Sequence, residues 1–450
     1  MDCFIGLDIG TSAVKGALIS EQGETLALES GEFAYYEQDG GRLMKPEEFL
    51  AVCFSVIKKL ADKSQGNRIA AICPSCASGN LIFLDKNYLP ITPVIGWQSV
   101  VDKEEFAGYY TEHEREEIYT AVGWHARNSF PIAYLPWFFK HKREIITNAG
   151  MICMSAEYLN YALTGAWGIS QSMATPFYLL NQEEGRYNKQ LLERFGITEK
   201  QLPPVYDKGT KIGSVREDLK SSIGAAGAAV VLGSFDHPSC ATGAGVFDCG
   251  EMLLSCGTSW VEFFPVKERA AALRAGMLTD RFMINSTPYC AMSSLTSFSV
   301  KIDRLRKKLL GDISHKEFDT LAAQSFAGAD GLLVDFACEE VNKPVSERRH
   351  AARAIIEGAA RLLKENLAEA EKKGFRADRI TMAGGITNSA VCVKIIAETL
   401  GRDIRVVNGV SAGAAGSAML AGIGVGKFKD ERDAFKKMNF KQTKYSAGLN

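Results

Sequence analysis

The sequence predicts an α/β protein made of two related domains. The chain has 450 residues, more than one hydrophobic core usually serves. Stretches with the apolar patterns of strands and of amphipathic helices follow one another along it. The arrangement of a strand, a Gly-Thr-Ser turn and a returning strand occurs twice, at residues 4–19 and 252–264. Because such a repeat indicates two similar halves, we predict domains at residues 1–244 and 245–450, each presenting one turn to a shared cleft.

Composition and charge argue against several classes of protein. Hydrophobic residues make up 46% and charged residues 23%, as in globular proteins, and the net charge of −1 predicts neither nucleic-acid nor membrane partners. No apolar run is long enough to span a bilayer, and no secretory signal is predicted at the N-terminus. The eleven cysteines show no framework spacing, which fits reduced thiols in the cytoplasm. A single CxxC, at Cys73 and Cys76 in a predicted loop, favours two thiols over a zinc site.

The first hairpin is predicted to have strands at Phe4–Asp8 and Ala13–Ile19. The turn between them carries amide and hydroxyl donors that can converge on phosphate oxygens. Asp8, at the end of the first strand, can orient a magnesium ion through water. An ordinary hairpin turn explains the same residues, since Gly, Thr and Ser are common in turns.

The region after this hairpin is predicted to mix helices, strands and loops. Pro46–Leu60 has the apolar spacing of a helix, and Ile69–Ile72 and Leu81–Leu84 are predicted strands that flank a loop of small residues. Residues 130–200 are predicted to be mostly helical, with aromatic side chains that pack against one another. Trp97, in a loop before them, can stack on a sugar ring.

A carboxylate near the middle of the chain, Asp236, follows the apolar run Ala229–Leu232, a predicted buried strand. Small residues and glycines surround it. A carboxylate at the end of a strand is well placed to face a cleft. The alternative is an N-cap that satisfies free amides at the start of a helix.

The second half is predicted to begin with a hairpin around Gly257, Thr258 and Ser259. Later, a predicted strand leads into Gly384 and Gly385, where the backbone can approach a flat ring or a ribose closely. The other predicted elements of this half are the helices Arg349–Lys373, Ala390–Leu400 and Ala412–Leu420, the strand Ile404–Val407, and a final helix and tail over Lys427–Asn450.

Four segments, in this order and spacing, resemble the FGGY carbohydrate kinases, a family in the superfamily of actin, hexokinase and the heat-shock chaperone ATPases. They are residues 7–15, 233–236, 255–260 and 383–386, and the resemblance extends over essentially the whole chain. It implies two actin-like domains of ribonuclease-H type that close on a central cleft. It also implies a cytoplasmic enzyme that uses ATP and Mg²⁺ to phosphorylate a hydroxyl of a small sugar or polyol, most simply a ketose, and a homodimer by analogy with the family.

The resemblance also assigns roles to individual residues. Asp236 matches the general base that takes a proton from the sugar hydroxyl, and Asp8 matches the residue that positions magnesium. Phosphoryl transfer depends mainly on positioning and charge stabilisation, so one well-placed base is enough. The residues that match the nucleotide and phosphate sites are Asp8, Gly10, Thr11, Ser12, Lys15, Gly257, Thr258, Ser259, Gly384, Gly385 and Asn388.

The sugar side departs from the family pattern. Where relatives commonly show Trp-x-Asp-x-Arg, this chain has Ser99 and Val101, and the Gly-Gln-Met-His-Gly loop is replaced at residues 76–80. Losing a carboxylate and a guanidinium removes charge-assisted bonds to sugar hydroxyls. Gln98 or Asp102 can substitute for them. The predicted substrate-binding residues are Ser78, Gly79, Asn80, Trp97, Gln98, Asp236 and His237, of which His237 either contacts substrate or caps a helix.

Two other functions compete with the kinase. An ATP-binding switch or scaffold without sugar turnover is favoured by the altered loops at 76–80 and 97–101. It is disfavoured by Asp236, because a switch has little use for a base on the substrate side. An actin- or chaperone-like ATPase fits the two hairpins but not the motif around Asp236. We therefore predict a carbohydrate kinase.

Overall fold

The computed structural model describes residues 1–77 and 79–448, which form two compact units. Unit 1 comprises Met1–Phe247, Val266–Ala291 and Gly409–Phe440, and unit 2 comprises Asp248–Pro265, Met292–Asn408 and the chain from Lys441 onwards. The chain first leaves unit 1 close to the boundary expected at residues 244 and 245. It then returns to unit 1 twice, so neither unit is a single continuous segment.

The strands and helices mix throughout the chain, as an α/β fold requires. The strands are β1 (Asp2–Ile9), β2 (Ala13–Ser20), β3 (Thr25–Glu32), β4 (Tyr36–Gln38), β5 (Gly41–Met44), β6 (Arg68–Cys76), β7 (Ile82–Leu84), β8 (Val94–Ile95), β9 (Met151–Cys153), β10 (Ile169–Ser170), β11 (Leu180–Asn181) and β12 (Arg186–Tyr187). They continue as β13 (Val205–Tyr206), β14 (Lys211–Ser214), β15 (Ala229–Val231), β16 (Gly250–Cys256), β17 (Trp260–Val266), β18 (Leu278–Arg281), β19 (Tyr289–Leu295), β20 (Val334–Asp335), β21 (Glu340–Val341), β22 (Ala377–Gly384), β23 (Ile404–Val407) and β24 (Gln442–Tyr445).

The helices follow the same order along the chain. The first are α1 (Pro46–Asp62), α2 (Lys103–Ala107), α3 (Glu112–Val122), α4 (Pro131–His141), α5 (Arg143–Asn148), α6 (Ser155–Thr164), α7 (Gln171–Ala174), α8 (Lys189–Phe195) and α9 (Lys220–Ile223). The remainder are α10 (Asp236–Ala244), α11 (Arg269–Arg274), α12 (Phe298–Leu310), α13 (His315–Ala323), α14 (Arg348–Lys372), α15 (Ala390–Leu400), α16 (Ala412–Gly424) and α17 (Glu431–Met438). No helix among the described residues is long and apolar enough to cross a membrane.

Unit 1 is built on a six-stranded sheet in the order β14-β15-β6-β1-β2-β3. Strand β1 pairs antiparallel with β2 and parallel with β6, so β1 lies in the interior of the sheet. Phe4, Ile5 and Leu7 are fully buried there. Because β1 and β6 are parallel, their carboxyl ends meet at one edge, and the loops after both strands lie together.

The CxxC segment belongs to β6, so the predicted loop at residues 73–76 is wrong. Cys73 and Cys76 are both buried as free thiols. A proline in a strand argues against an interior position, because it cannot donate to the ladder. Pro74 is accommodated because β15 pairs with β6 only as far as Ile72.

Helices α10 and α16 pack against each other and α16 also packs against β1, all within unit 1. Glycines make this approach possible. A methyl group at Gly243 would collide with the carbonyl of Ala412, and one at Gly6 with the carbonyl of Ala414. The hydroxyl of Ser417 donates to the carbonyl oxygen of Leu7 at 3.1 Å. The residues 412–420 were predicted as a helix of small residues, and this packing is why they are small.

Unit 2 contains the neighbouring strands β17-β16-β22-β23-β24. Strand β16 pairs antiparallel with β17 and parallel with β22, which repeats the arrangement of β2, β1 and β6 in unit 1. The final helix predicted after Lys427 is α17. The predicted tail instead contains β24, whose Gln442–Tyr445 pairs antiparallel with β23.

Candidate active site

Asp8 lies at the end of β1, beside the turn of the first hairpin. Its Oδ2 accepts a hydrogen bond from the hydroxyl of Ser411 at 3.0 Å. Lys15 stands directly opposite Asp8 on β2. Gly413, at the start of α16, leaves room for the carboxylate, since a methyl group there would lie 2.6 Å from its Cγ. Two residues about 400 positions away therefore hold Asp8, and the sequence analysis did not foresee either of them.

Asp236 lies close enough to Asp8 for the two charges to interact. Burial raises the pKa of Asp8, the negative charge of Asp236 raises it further, and the bond from Ser411 and the charge of Lys15 lower it. Burial also raises the pKa of Asp236, while the charge of His237 and backbone amides lower it. The two carboxyls therefore destabilise each other's ionised form, and a cation or a captured proton would relieve the repulsion.

Asp236 is the first residue of α10, so it does not cap that helix. Phe235 holds the N-cap position, and its side chain makes no cap bond. Oδ1 of Asp236 accepts the amide of the next residue, His237, at 2.8 Å. The side chain of Asp236 is 26% exposed and that of His237 is 22% exposed. Asp236 is therefore not the N-cap residue, although it accepts an amide of the first turn, and its carboxylate is partly exposed to solvent.

The oxygen donors near Asp8 fit a magnesium ion. Mg²⁺ prefers hard oxygen ligands and is usually held through one or two carboxylates with several waters retained. Asp8 and Asp236 supply carboxylates. Among residues 1–77 and 79–448, no group of three His, Cys, Asp or Glu side chains forms a closed metal cage. This donor set therefore suits an ion that is completed by water and phosphate.

The turn of the first hairpin is tied to the predicted sugar loops. Nε1 of Trp97 donates to Oγ1 of Thr11 at 3.0 Å. The Trp97 ring stacks on Phe130, with centroids 5.8 Å apart and planes at 23°. Phe130 has φ of 69°, a strained conformation for a bulky residue, and its ring fills the space beside Gly79. Trp97 thus connects Thr11 to Phe130, and Phe130 lies against Gly79. The sequence analysis assigned Phe130 only a packing role.

The aromatic cluster continues from Phe130 to α10, the helix that begins at Asp236. Trp124 contacts Phe130 edge-on at 5.7 Å between centroids and Phe235 at 5.4 Å. Phe235 in turn contacts His237 edge-on at 5.3 Å. His237 is therefore held beside Asp236 by an aromatic neighbour, and no cap bond from its side chain is needed to place it.

The remaining predicted sugar-side residues have mixed placements. Asn80 is buried, and its amide exchanges two hydrogen bonds with Ser155, at 2.9 and 2.8 Å. Asp102 caps α2, where its Oδ1 accepts the amides of Glu104 and Glu105. Oε1 of Gln98 is buried without a hydrogen-bond partner among the described residues. Ser78 lies outside the described residues.

Ser99 and Val101, where relatives carry Asp and Arg, are both buried. The hydroxyl of Ser99 accepts the amide of Arg42 at 2.9 Å and contacts its carbonyl oxygen at 3.2 Å. The serine thus ties strand β5 to the Trp97 loop. Its hydrogen bonds are used within the protein and not directed at a ligand.

In unit 2, the second hairpin presents a more exposed turn. Gly257 and Thr258 are exposed, and Ser259 is half-buried. The hydroxyl of Ser299 donates to the carbonyl of Gly257 at 2.7 Å, and the amide of Ser299 donates to the carbonyl of Thr258 at 3.1 Å. The start of α12 therefore binds the carbonyls of this turn, which leaves its amides and the Thr258 hydroxyl for a ligand.

The Gly-Gly turn follows β22 in the same unit. Gly384 has φ of 105°, and a methyl group there would collide with the backbone of Cys256. Gly385 has open space around it, and Asn388 is exposed. Gly384 is thus required by the close approach of β16 and β22, whereas Gly385 and Asn388 are free to meet a ligand.

A second set of buried polar groups lies next to the start of α10 in unit 1. The sequence analysis missed this set. The carboxyl of Asp280 is completely buried on β18, and burial raises its pKa to about 7. It accepts the hydroxyls of Ser172 and Thr175, each at 2.7 Å. The sequence offers only the general ability of Ser, Thr and Asp to form hydrogen bonds, because Asp280 is more than 100 residues from Ser172 and Thr175.

Family models match most of the chain. The N-terminal domain of the FGGY family of carbohydrate kinases matches residues 3–243, and the C-terminal domain of that family matches residues 327–425. The chain belongs to the FGGY family of carbohydrate kinases. It is accordingly a carbohydrate kinase, and the ATP-binding switch is not favoured.

Named relatives resemble this FGGY kinase over almost its whole length. Xylulose kinase of Staphylococcus epidermidis is 25% identical, with 94% of this chain and 88% of that protein covered. L-xylulose/3-keto-L-gulonate kinase of Escherichia coli is 24% identical, with 96% and 90% covered. Autoinducer-2 kinase of Yersinia pseudotuberculosis is also 24% identical, with 95% and 87% covered.

Solved structures share the fold of this FGGY kinase. Ligand-bound xylulose kinase from Lactobacillus acidophilus superposes with a TM-score of 0.87 at 21% identity, covering 100% of this chain and 94% of that one. Gluconate kinase from the same organism gives 0.86 at 21%, covering 99% and 94%. Plasmodium falciparum glycerol kinase with ADP gives 0.84 at 17%, covering 100% and 95%. The predicted actin-like two-domain α/β fold is confirmed.

One cavity in unit 1 lies away from these residues. Its volume is about 630 Å³, and it is lined by α3 and residues 181–194, including Glu114 and Arg194, which form an ion pair. None of the predicted site residues lines it. The cluster around Asp8 and Asp236 is the better candidate active site, because its side chains carry the chemistry that phosphoryl transfer needs.

Proposed function

We propose that this FGGY kinase transfers the γ-phosphoryl group of ATP to a ketose hydroxyl, with Asp236 as the general base. The observation that carries the proposal is the uncapped, partly exposed carboxylate of Asp236 beside Asp8. The carboxylate accepts the amide of His237 at 2.8 Å and keeps lone pairs that can accept a substrate proton.

The proposed base has a suitable basicity. Burial raises the pKa of Asp236, which brings it toward the working pH and strengthens it as a proton acceptor. In the proposed reaction, Asp236 accepts the proton of the attacking sugar hydroxyl through its free carboxylate oxygen. His237, beside it, lowers the pKa of Asp236 and keeps a fraction ionised. A positioned base of this kind typically contributes ~10²–10⁴ in rate.

Magnesium is assigned to Asp8 in this proposal. The ion, when bound with ATP, neutralises charge on the phosphate oxygens. Asp8 would hold it through water, with Ser411 and Lys15 keeping the carboxylate ionised and oriented. Thr11 and Ser12 would donate to the phosphoryl group in transfer. Gly10, whose amide donates to the carbonyl of Ala13 at 2.9 Å, would shape the turn around that group.

The nucleotide is assigned to unit 2. The turn at Gly257, Thr258 and Ser259 would bind the β- and γ-phosphates, and Gly385 and Asn388 would contact the adenosine. The exposure of these groups and the free space at Gly385 support this assignment. Gly384 would act indirectly, since its role is to let β16 and β22 approach.

The substrate is proposed to be a ketose held against Trp97. The flat face of Trp97 can pack on a sugar ring or chain, and the stacked Phe130 fixes its orientation. The names of the relatives, which include xylulose kinases, support a ketose. A homodimer and a cytoplasmic location stay predictions.

The test is ADP release from Mg²⁺–ATP with a panel of ketoses, aldoses, polyols and sugar acids, starting from D-xylulose. Asp236→Asn should lower kcat by at least ~10²-fold, because the base is lost, and leave the Kd for ATP within about twofold. Asp102→Asn is the matched control, since asparagine also caps a helix and turnover should be unchanged. Equal loss of turnover and ATP binding in Asp236→Asn would assign that residue a structural role.

A further inference from the structure

The backbone just before the proposed base is anchored by a buried side chain. The amide of Phe235 donates to Oγ of Ser172, on α7, at 3.1 Å. Both groups are inaccessible to water. Phe235 is the residue that precedes Asp236, so this bond fixes the point from which α10 and its first carboxylate start.

Ser172 is itself oriented by Asp280. Its hydroxyl donates to Oδ2 of Asp280 at 2.7 Å. A hydroxyl has one proton to give, and the carboxylate receives it. The lone pairs of Ser172 are therefore turned toward the amide of Phe235. Without this acceptor, the serine hydroxyl could rotate and would compete poorly for that amide.

Asp280 is in turn held from its other side. Oδ1 accepts the hydroxyl of Thr175 and the amide of Arg281, each at 2.7 Å. The amide nitrogen of Gln182 donates to Thr175 at 3.0 Å. Thr175 and the amide of Arg281 thus hold Asp280 in place, and Gln182 holds Thr175. Among the described residues, the hydrogen bond from the Phe235 amide to Ser172 links this cluster directly to the start of α10.

We propose that Asp280, acting through Ser172, is a positioning residue that holds Asp236 where it can take the substrate proton. This inference rests on the proposed role of Asp236 as base. Asp280 does not touch substrate in this proposal. It affects the reaction through the position and orientation of the Asp236 carboxylate. Displacements of about 1 Å far from the chemistry can cost up to ~10²-fold in rate.

The test compares two branches of the same buried cluster. Ser172→Ala removes the acceptor of the Phe235 amide, and Asp280→Asn replaces one carboxylate oxygen by a group that donates. Thr175→Val is the matched control, because it removes an equally buried bond to Asp280 that leads away from α10. Each variant and the double variant of Ser172→Ala with Asp280→Asn are assayed with D-xylulose, or with the panel sugar that gives the highest turnover, and melted in parallel.

We expect kcat to fall about 10- to 100-fold in Ser172→Ala and in Asp280→Asn, with the KM for ATP within about twofold. The double variant should fall no further than the worse single variant, because the two residues act in series. Thr175→Val should lower Tm by a similar amount and keep kcat within about twofold of the native value.

Several results would overturn the inference. Losses of kcat in Ser172→Ala and Asp280→Asn no larger than in Thr175→Val at equal Tm would make the cluster merely structural, and multiplying losses in the double variant would mean that the residues act separately. If Asp236→Asn keeps full turnover, or no sugar in the panel raises ADP release, the proposed function fails and this inference fails with it. If Asp236→Asn loses turnover while Ser172→Ala and Asp280→Asn keep native rates, the positioning role is rejected and the proposed function stands.

Discussion

In unit 1, residues 8–15 run from the end of β1 through a Gly-Thr-Ser turn into β2. In unit 2, residues 255–262 run from β16 through the same turn into β17. Each first strand also pairs in parallel with a third strand, β6 in unit 1 and β22 in unit 2. The predicted sugar loop follows β6, and the predicted adenosine turn ends β22. The loops predicted to bind different ligands therefore lie at the ends of corresponding strands, β6 in unit 1 and β22 in unit 2.

The two hairpins differ in where they carry charge. Asp8 corresponds in order to Ser255, and Lys15 corresponds to Glu262. Asp8 is half-buried beside a lysine, whereas Glu262 is buried with Ser293 donating to it at 2.6 Å. Burial raises the pKa of Glu262, and the bond from Ser293 lowers it. One hairpin thus has a half-buried carboxylate beside its turn, whereas the other buries its carboxylate and has uncharged donors at its turn.

Under the proposed function, this difference explains how the same hairpin can either bind phosphate or orient a metal-bound phosphoryl group. A phosphate loop needs donors without nearby negative charge, which the second hairpin provides. A site that orients a metal-bound phosphoryl group needs a carboxylate, which the first hairpin adds. Ser411, Gly413 and Lys15 accommodate that carboxylate in the first hairpin.

The largest effect should come from making the first hairpin like the second. Asp8→Ser removes the carboxylate proposed to orient magnesium and should lower kcat by about 10²-fold, the usual cost of losing a partner around a metal site. Steady-state ADP release against Mg²⁺ concentration measures it. Full turnover at ordinary Mg²⁺ would remove Asp8 from the metal site.

The reverse exchange is the matched control. Ser255→Asp puts a carboxylate where phosphate is proposed to bind, and repulsion should raise the Kd for ATP about tenfold. Calorimetric titration with ATP measures the change. An unchanged Kd would show that this hairpin does not meet the phosphates.

A second pair of variants separates structure from ligand contact at the adenosine turn. Gly384→Ala forces a side chain onto φ of 105° and into Cys256, so it should destabilise the protein by about 1–3 kcal/mol. Gly385→Ala meets nothing and should keep the native Tm, but it should weaken ATP if adenosine packs there. Denaturant unfolding and ATP titration of both variants distinguish the two outcomes. Native ATP affinity in Gly385→Ala would place the adenosine elsewhere.

A smaller effect is expected from the hydroxyl of the second turn. Thr258→Val keeps the shape of the side chain and removes one donor to charged phosphate, so the KM for ATP should rise about tenfold. The measurement is initial rate against ATP concentration at saturating sugar. Unchanged KM and kcat would contradict a phosphate contact.

The smallest effect concerns the buried carboxyl of the second hairpin. The pKa of Glu262 is raised in the folded protein, so between its unfolded and folded values the folded state binds the extra proton, and stability falls as pH rises. Glu262→Gln removes this loss and should raise Tm at pH 8 by about 2–4 °C more than at pH 5. Thermal melts at both values test it. An equal change at both values would mean that Glu262 does not titrate with folding.

Local patterns in the sequence predicted the elements but not their long-range partners. Strands β1 and β2 and helices α1, α14 and α15 begin and end within about two residues of their predicted bounds, because apolar spacing and turn residues act locally. Residues 73–76, the second half of β6, were assigned to a loop of small residues that includes Pro74. The early end of β15, a fact of tertiary structure, makes that proline acceptable in a strand.

The candidate site shows the same limit. Asp236 and the two turns stand out in the sequence because motif spacing marks them. Ser411, Ser172 and Asp280 do not, since each acts through a partner between 63 and 403 positions away. Asp102 was offered as a sugar contact, yet the same residue type caps a helix whenever amides follow it in the right geometry.

The packing of α16 on β1 has a consequence for biosynthesis. Gly6 and Leu7 leave the ribosome about 400 residues before the helix that covers them, Ala412–Gly424. Until then the nascent chain holds an apolar strand face and the Asp8 carboxylate without their cover. Such a delay lengthens the time during which a chaperone can bind, and it means that a ribosome stalled before residue 412 would release a chain whose unit 1 cannot close.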